Sequence, residues 1–117
     1  MRVTTARALL HAARPDDAFI VTDGDRRLLQ VNLAACRLLG TTEDQLMGRR
    51  VDDFLAPEAG PALHRRWRQM LGRGSAESTY GLRTADGVAR GVALATVANC
   101  PLPGTHLARL RPVLPAS

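Results

Sequence analysis

The chain has 117 residues, enough for one domain with a single hydrophobic core but with little room for a second one. Hydrophobic residues make up 45% of the chain and aromatic residues only 3%, so the core is expected to consist mainly of Leu, Val and Ala. No apolar run approaches the roughly 20 residues of a membrane span, and the N-terminus lacks an uninterrupted apolar stretch of secretory type. A cytoplasmic protein without membrane contact is therefore predicted.

The positive charge of the chain is dispersed. The formal net charge is +5 and comes mainly from Arg residues spread between Arg2 and Arg111. Only His64-Arg65-Arg66-Trp67-Arg68 forms a cluster. Charge scattered along a chain in this way is typical of a solvated surface, so direct binding of nucleic acid is not predicted.

The segment ahead of Pro15 has apolar residues at helical spacing. These residues are Val3, Ala6, Leu9, Leu10 and Ala13. They predict an amphipathic helix within residues 1–14, which Pro15-Asp16-Asp17 ends. Such a helix must cover its apolar stripe with the domain's own sheet or with a second copy of the chain.

Two short strands are predicted on either side of an Asp-Gly turn. Ala18–Thr22 is rich in strand-forming residues, Asp23-Gly24-Asp25 supplies the turn, and Leu28–Val31 returns as the second strand. A calcium loop of the EF-hand type needs more oxygen ligands and a bidentate Glu further along the chain. Neither is present at that spacing, so a hairpin turn is predicted rather than a metal site.

Short helices interrupted by glycines are predicted to follow. Leu33–Leu39 is expected to be helical and to end at Gly40, and Thr41-Thr42-Glu43 begins the next helical turn with a cap and an acidic residue. Gly48 interrupts that turn, and residues 51–55 form another brief one. Short helices beside a sheet are expected to leave a pocket rather than a solid core.

The longest predicted helix covers residues 60–71. At about 100° per residue, one face of it carries Leu63, Trp67, Met70 and Leu71 and is expected to pack on a sheet. Glycines end this helix, and three more strands are predicted after it. These strands cover residues 77–83, 88–97 and 106–111, with Asp86-Gly87 as a hairpin turn between the first two.

Several short motifs occur together at a spacing typical of one family. They are Asp23-Gly24, Val31-Asn32, Ala34-Ala35, Leu38-Leu39-Gly40, Glu43, Leu46, Gly48-Arg49 and Asp53-Phe54. In this order they resemble the opening half of a PAS (Per-Arnt-Sim) sensory domain. The resemblance implies an α+β fold, in which a five-stranded antiparallel sheet of order 2-1-5-4-3 carries short helices and one longer helix on one face. The PAS domain would cover residues 15–111, with a proline-containing tail or linker at 112–117.

The resemblance also implies a sensory function. A small ligand or a partner would bind in the helix-lined pocket and regulate a dimer or an output domain, either a histidine kinase or a DNA-binding transcriptional regulator. The residues predicted to face this pocket are Phe19, Val21, Val31, Leu38, Leu46, Val51, Leu63, Trp67, Met70 and Leu94. Leading helices of PAS domains often serve dimerisation, so a homodimer through residues 3–13 is expected. The competing hypothesis is an interaction module that binds no ligand because its own side chains fill the pocket.

The resemblance to PAS domains suggests two cofactors to consider, heme and flavin. Some PAS oxygen sensors hold heme iron through a His in the long helix, and His64 matches that residue, although a surface or pocket-edge His is the alternative interpretation. Light-sensing members carry a reactive Cys, and alignment on Gly48-Arg49 puts Val51 at its position. Cysteinyl-flavin photochemistry is therefore not expected, and the cofactor stays unknown.

No catalytic residue is predicted. The chain lacks a Gly-rich phosphate loop, a His-Glu pair at zinc-site spacing and a nucleophile elbow. His11, His64 and His106 occur singly, without Cys or carboxylate partners at metal-ligand spacing. Cys36 and Cys100 fit no metal or redox spacing and are expected to be reduced structural thiols. We therefore predict a protein that is not an enzyme and holds no metal.

Overall fold

The computed structural model describes residues 14–56, 59–85, 87 and 89–113. The predicted helix of residues 3–13, with its dimerisation surface, lies outside these residues, as do residues 114–117 of the predicted tail. Both assignments stay predictions.

One antiparallel sheet organises the described chain, as predicted. Its strands are β1 (Ala18–Thr22), β2 (Leu28–Val31), β3 (Ser75–Arg83), β4 (Ala89–Ala98) and β5 (His106–Pro112). The strand order is β2-β1-β5-β4-β3, so the last strand inserts between the first strand and β4. This central position brings the two ends of the domain to neighbouring strands.

The helices begin and end at residues with the expected capping chemistry. They are α1 (Leu33–Leu39), α2 (Glu43–Leu46), a 3-10 helix (Val51–Phe54) and α3 (Gly60–Arg73). The Asn32 side chain caps α1 by accepting the backbone N–H of Ala35 at 2.9 Å. Helix α3 continues past its predicted end because Gly74, with φ of 94°, is the glycine that adopts the left-handed conformation.

The helix-facing side of the sheet forms the main core. Its buried members are Ala18, Ile20, Leu28, Ala35, Cys36, Leu38, Leu39, Leu46, Phe54, Leu82, Val92, Ala108 and Leu110. Leu46 and Ala35 are 0% exposed, so α1 and α2 are packed tightly against the sheet. Leu38 and Leu46, both predicted to line a pocket, are members of this continuous core.

A second apolar cluster lies on the opposite face of the sheet. There Phe19, Cys100 and Leu107 pack against the buried Ala95 and Val97. The prediction that Phe19 faces the helix-lined pocket is therefore wrong. Strand side chains alternate between faces, and Ile20 of the same strand points into the main core, which also puts Val21 on the side of Phe19. The apolar run Ala18–Val21 contains no polar residue that would reveal this alternation in the sequence.

Candidate ligand-sensing site

A small cavity lies where α3 crosses β3 and β4. Its volume is about 20 Å³, which is room for about one water molecule. It is lined by Leu63, Arg66, Trp67, Met70, Ala76, Ser78, Tyr80, Leu94 and Thr96. The lining is mainly apolar, with hydroxyl groups on the two strands as its few hydrogen-bonding groups.

The predicted pocket residues fall into three groups in the structure. Leu63, Trp67, Met70 and Leu94 come together around the cavity. Val31, Leu38, Leu46 and Val51 belong to or pack against the main core under α1 and α2. Phe19 and Val21 lie on the opposite face of the sheet. Part of the predicted lining therefore surrounds one space, and the aromatic Tyr80 and the hydroxyl-bearing strand residues were not predicted.

Trp67 joins α3 to the turn between β1 and β2. Its indole Nε1–H donates a hydrogen bond to the backbone carbonyl oxygen of Gly24 at 3.0 Å. The guanidinium of Arg26 lies 5.6 Å from the centre of the indole ring, a cation–π contact. The position of α3 relative to this turn is thus determined by a buried aromatic side chain.

Arg26 is itself held in place by a two-point ion pair. Its Nε and Nη2 donate hydrogen bonds to the Asp52 carboxylate at 2.7 and 2.8 Å. The hydrogen bonding between Arg26 and Asp52 lowers the pKa of Asp52 and raises the pKa of Arg26. Arg26 has a φ of 65°, a left-handed conformation that few residues other than glycine adopt, so the ion pair helps to hold a strained turn.

His106 also packs against Trp67, in addition to Gly24 and Arg26. Only 3% of the residue is exposed, and its ring lies edge-on to the ring of Trp67, with a centroid distance of 5.4 Å. Nδ1 accepts the backbone N–H of Asn99 at 3.1 Å, which requires an unprotonated Nδ1. Burial lowers the pKa of His106 below its ordinary value, despite the opposing effect of Asp23.

Sequence reasoning gave His106 no role and selected His64 instead. The pattern of β5 contained a usable signal, because His106 alternates with Ala108 and Leu110, two residues that suit a buried face. His64 is exposed on α3, next to the buried Leu63. Heme ligation by His64 stays a prediction, and its exposed position gives that prediction no support.

The ends of the domain are connected by a second ion pair. Nε and Nη2 of Arg111 donate to the Asp17 carboxylate at 2.7 and 2.8 Å. The hydrogen bond from Arg111 lowers the pKa of Asp17 from 3.8 to about 2. Asn32 adds to this connection, because its side chain accepts the N–H of Phe19 and donates to the carbonyl oxygen of Asp17. The point where the chain enters β1 is thereby attached to the point where it leaves β5.

A larger open groove of about 540 Å³ runs between α1 and the ends of β4 and β5. Ala18, Leu38 and Leu110 are among its apolar lining, and Arg37 and Arg90 are both exposed beside it. The groove opens next to Pro15 and Pro112, which border the undescribed ends of the chain. The smaller cavity under α3 is the better candidate for sensing, because buried aromatic and aliphatic side chains of a helix and of the sheet line it together.

The described residues contain neither a metal-binding cluster nor a membrane-spanning helix. No group of three or more His, Cys, Asp and Glu side chains among them could hold a metal ion. None of the helices they form is long and apolar enough to cross a membrane. Cys36 and Cys100 are both free thiols, and burial raises the pKa of Cys36.

The fold and this site can now be compared with known proteins. A protein-family model described as the PAS fold matches residues 14–105. The chain belongs to the PAS family. PAS domains are generally sensory and non-enzymatic, so the protein is a PAS sensory domain, as its sequence motifs predicted.

Solved structures of PAS domains share this fold at low sequence identity. The PAS domain of an HTR-like protein from Haloarcula marismortui is 20% identical with a TM-score of 0.72, over 83% of this chain and 81% of that one. A domain of the sensory box sensor histidine kinase/response regulator from Geobacter sulfurreducens is 17% identical with a TM-score of 0.71, over 92% and 96%. The PAS domain of the RpfR quorum-sensing receptor from Cronobacter turicensis, in complex with BDSF, is 14% identical with a TM-score of 0.72, over 88% and 99%. None of the curated proteins matches this sequence.

Proposed function

We propose that this PAS domain detects a small, mainly apolar ligand in the cavity between α3 and strands β3 and β4. The observation that carries the proposal is that three buried side chains of α3, Leu63, Trp67 and Met70, line this cavity together with Leu94 of the sheet. A structurally similar PAS domain, that of the RpfR receptor, is known in complex with BDSF, which supports ligand binding by this fold.

Ligand binding would have to move α3. The cavity has room for about one water molecule, so a larger ligand requires the helix to shift outward or Met70 to change rotamer. Either movement disturbs Trp67, and with it the hydrogen bond to Gly24 and the contact with His106. Because His106 begins β5 and β5 is attached to Asp17 through Arg111, the change would reach both ends of the domain.

We expect the output to be a histidine kinase or a DNA-binding regulator attached to, or bound by, this domain. The Geobacter sulfurreducens neighbour, a domain of a sensor histidine kinase/response regulator, supports the first of these. The domain itself would act in the cytoplasm by binding rather than by catalysis.

Fluorescence of Trp67, the single Trp of the chain, tests the ligand proposal directly. BDSF is the first probe, followed by a library of small apolar metabolites. A ligand in the cavity should change the Trp67 emission in a saturable way, and Leu94→Phe should weaken its binding at least tenfold by filling the space. Leu107→Phe is the matched control, because Leu107 is also half-buried but lies on the opposite face of the sheet. A ligand whose affinity Leu94→Phe leaves unchanged would contradict this site.

An absorption spectrum of the protein with and without added hemin tests the heme hypothesis separately. A heme band that disappears in His64→Ala would replace the apolar-ligand proposal with a gas or redox sensor. A spectrum that shows only the absorption of Trp67 and Tyr80, even after hemin is added, would leave the apolar-ligand proposal in place.

The second candidate is an interaction module that binds no ligand. The small volume of the cavity favours it, because the domain's own side chains already fill most of the space. In that case a homodimer through residues 3–13 would carry the function. Leu10→Arg should then reduce the mass of the protein in solution to that of a monomer, whereas an unchanged dimer would exclude this surface.

A further inference from the structure

The open groove between α1 and the ends of β4 and β5 has the size of a ligand site. Its volume is about 540 Å³, and small-molecule sites in proteins usually measure about 300–1,000 Å³. We call it the end groove, because Pro15, just ahead of β1, and Pro112, the last residue of β5, both line it. The end groove shares no lining residue with the cavity under α3, so it is a separate site.

Much of the lining of the end groove is apolar. Ala18, Leu38 and Leu110 line it, are buried and belong to the main core. Leu33, at the start of α1, lines it as well and is 65% exposed. A large aliphatic side chain open to water beside other apolar residues gains free energy when an apolar group covers it. The end groove therefore suits an occupant with an apolar part.

The exposed rim of the end groove is positively charged. Arg37 of α1 and Arg90 of β4 are both exposed, and neither side chain forms an ion pair within the described part of the chain. Asp16 is the single acidic residue of the lining. The hydrogen bond to Asp17 raises the pKa of Arg111, and the charge of Asp16 adds to this effect, so Asp16 acts on Arg111. Two guanidinium groups thus remain for a negatively charged occupant.

These features select an occupant that is both apolar and anionic. A guanidinium binds a carboxylate through two parallel hydrogen bonds, which fixes the orientation of the bound group. The segment ahead of the groove matches its charge poorly, because residues 1–13 contain two Arg and one His but no acidic residue. A small molecule that carries an apolar chain and a carboxylate matches both the lining and the rim.

We propose that the end groove binds a small amphipathic carboxylate. Its apolar part would cover Leu33 and the buried lining, and its carboxylate would pair with Arg37 and Arg90. The bound molecule would also lie against Pro15 and Pro112, and it would hold the two ends of the domain together.

Asn32 is the side chain through which the bound molecule would act on the ends. It lines the end groove, accepts the backbone N–H of Phe19 at 3.0 Å and donates to the carbonyl oxygen of Asp17 at 2.9 Å. An occupant that covers Asn32 keeps water away from these hydrogen bonds, so the N–H of Phe19 should exchange with solvent more slowly. The domain would thereby have a second input at its ends, independent of the cavity under α3.

Titration of the full chain with octanoate, followed in two-dimensional amide NMR spectra, tests the proposal. Saturable shifts are expected at the amides of Ala34, Arg37 and Leu110, which line the end groove. The amides of Ser78 and Thr96, which line the cavity under α3, should not shift. Octanamide has the same apolar chain without the charge and should bind at least tenfold more weakly.

Neutral substitutions on the rim test the role of the two arginines. Arg37→Gln and Arg90→Gln should each weaken octanoate binding about threefold, and the double variant at least tenfold, since single exposed ion pairs are weak. All three variants should fold, because both side chains are exposed. Arg65→Gln is the matched control, since Arg65 is exposed on α3, outside the end groove, and the loss of charge is the same.

Several outcomes would overturn the proposal. They are an absence of saturable binding, equal affinities for octanoate and octanamide, and a double variant that binds octanoate as tightly as Arg65→Gln does. Shifts confined to Ser78 and Thr96 would assign octanoate to the cavity under α3 instead. Octanoate that binds in the end groove without slowing the exchange of the Phe19 N–H would overturn the proposed action on the chain ends.

Discussion

The two halves of the helix-covered side of the sheet are built differently. Under α1 and α2 the sheet is covered by fully buried aliphatic residues such as Leu46 and Ala35. Under α3 the contacts include an indole, an imidazole and a guanidinium, and a small cavity remains. Aliphatic packing resists displacement because any movement opens empty space, whereas a few directional contacts around a cavity have alternatives at modest cost. We therefore expect α1 and α2 to form the rigid part of the domain and α3 the part that moves when a ligand binds.

The largest effect on stability is expected in the core under α1 and α2. Leu46→Ala should lower the free energy of unfolding by about 3 kcal/mol, because Leu46 is 0% exposed and its truncation leaves a cavity in the main core. Chemical denaturation measures the change. Leu29→Ala is the control, since Leu29 is 44% exposed on β2 and its truncation should cost less than about 0.5 kcal/mol. A cost for Leu46→Ala no larger than that of Leu29→Ala would contradict the idea of a tightly packed half.

The second largest effect on stability is expected from the ion pair between Asp17 and Arg111, which connects the two ends of the domain. Asp17 has a pKa of about 2 instead of 3.8, mainly because of the hydrogen bond from Arg111, so the contacts of its carboxylate together contribute about 2 kcal/mol at neutral pH. Because the pKa is lower in the folded state, this contribution is complete above the unfolded value and is lost as the pH falls from 3.8 towards 2. Asp17→Asn should remove it, and urea denaturation at pH 7 and at pH 2 should find the two proteins different at the first pH and alike at the second. An equal difference at both values would show that Asp17 acts through something other than its charge.

A smaller effect is expected in the movable half. Trp67→Phe keeps the aromatic bulk but removes the hydrogen bond to Gly24 and weakens the cation–π contact with Arg26, so it should cost about 1.5 kcal/mol. Hydrogen exchange should become faster in α3 and in the β1–β2 turn and stay unchanged in α1. Faster exchange in α1 as well would mean that the two halves open together, which would remove the distinction between them.

The smallest effect should come from protonation of His106. Its pKa is lowered by burial in the folded state, so the unfolded chain binds the proton more readily. Stability should therefore fall as the pH drops below 6.5 and through the folded pKa, and then level off. Trp67 on α3 lies edge-on to the ring, and Asp23 on the β1–β2 turn favours its charged form. Protonation at Nδ1 would also remove the acceptor for the Asn99 N–H, whose hydrogen exchange should accelerate. In His106→Asn both effects should be absent, while His64→Asn should retain them.

Much of the fold could be predicted because it depends on local chemistry. Asp23-Gly24 indicated a turn, Gly40 indicated the end of α1, and alternating or apolar runs indicated the strands within a few residues of their observed limits. The motif spacing, through its resemblance to PAS domains, also predicted the strand order that the structure has. Four of the residues predicted to face a pocket, Leu63, Trp67, Met70 and Leu94, meet around the candidate cavity, and their role in binding stays a prediction.

Other features depended on distant contacts and could not be read from the chain. The apolar run Ala18–Val21 gives no hint of which side chains face the helices, so Phe19 was assigned to the wrong face. His106 and Trp67 are far apart in sequence and meet only because β5 inserts between β1 and β4, next to the strands that α3 crosses. The nearly filled cavity results from the packing of several elements. The sequence by itself determined the elements, their caps and the family, because these follow from spacing and backbone preference. Tertiary structure alone decided which histidine is buried and how much space remains under α3, because these depend on register and side-chain packing between elements remote in the chain.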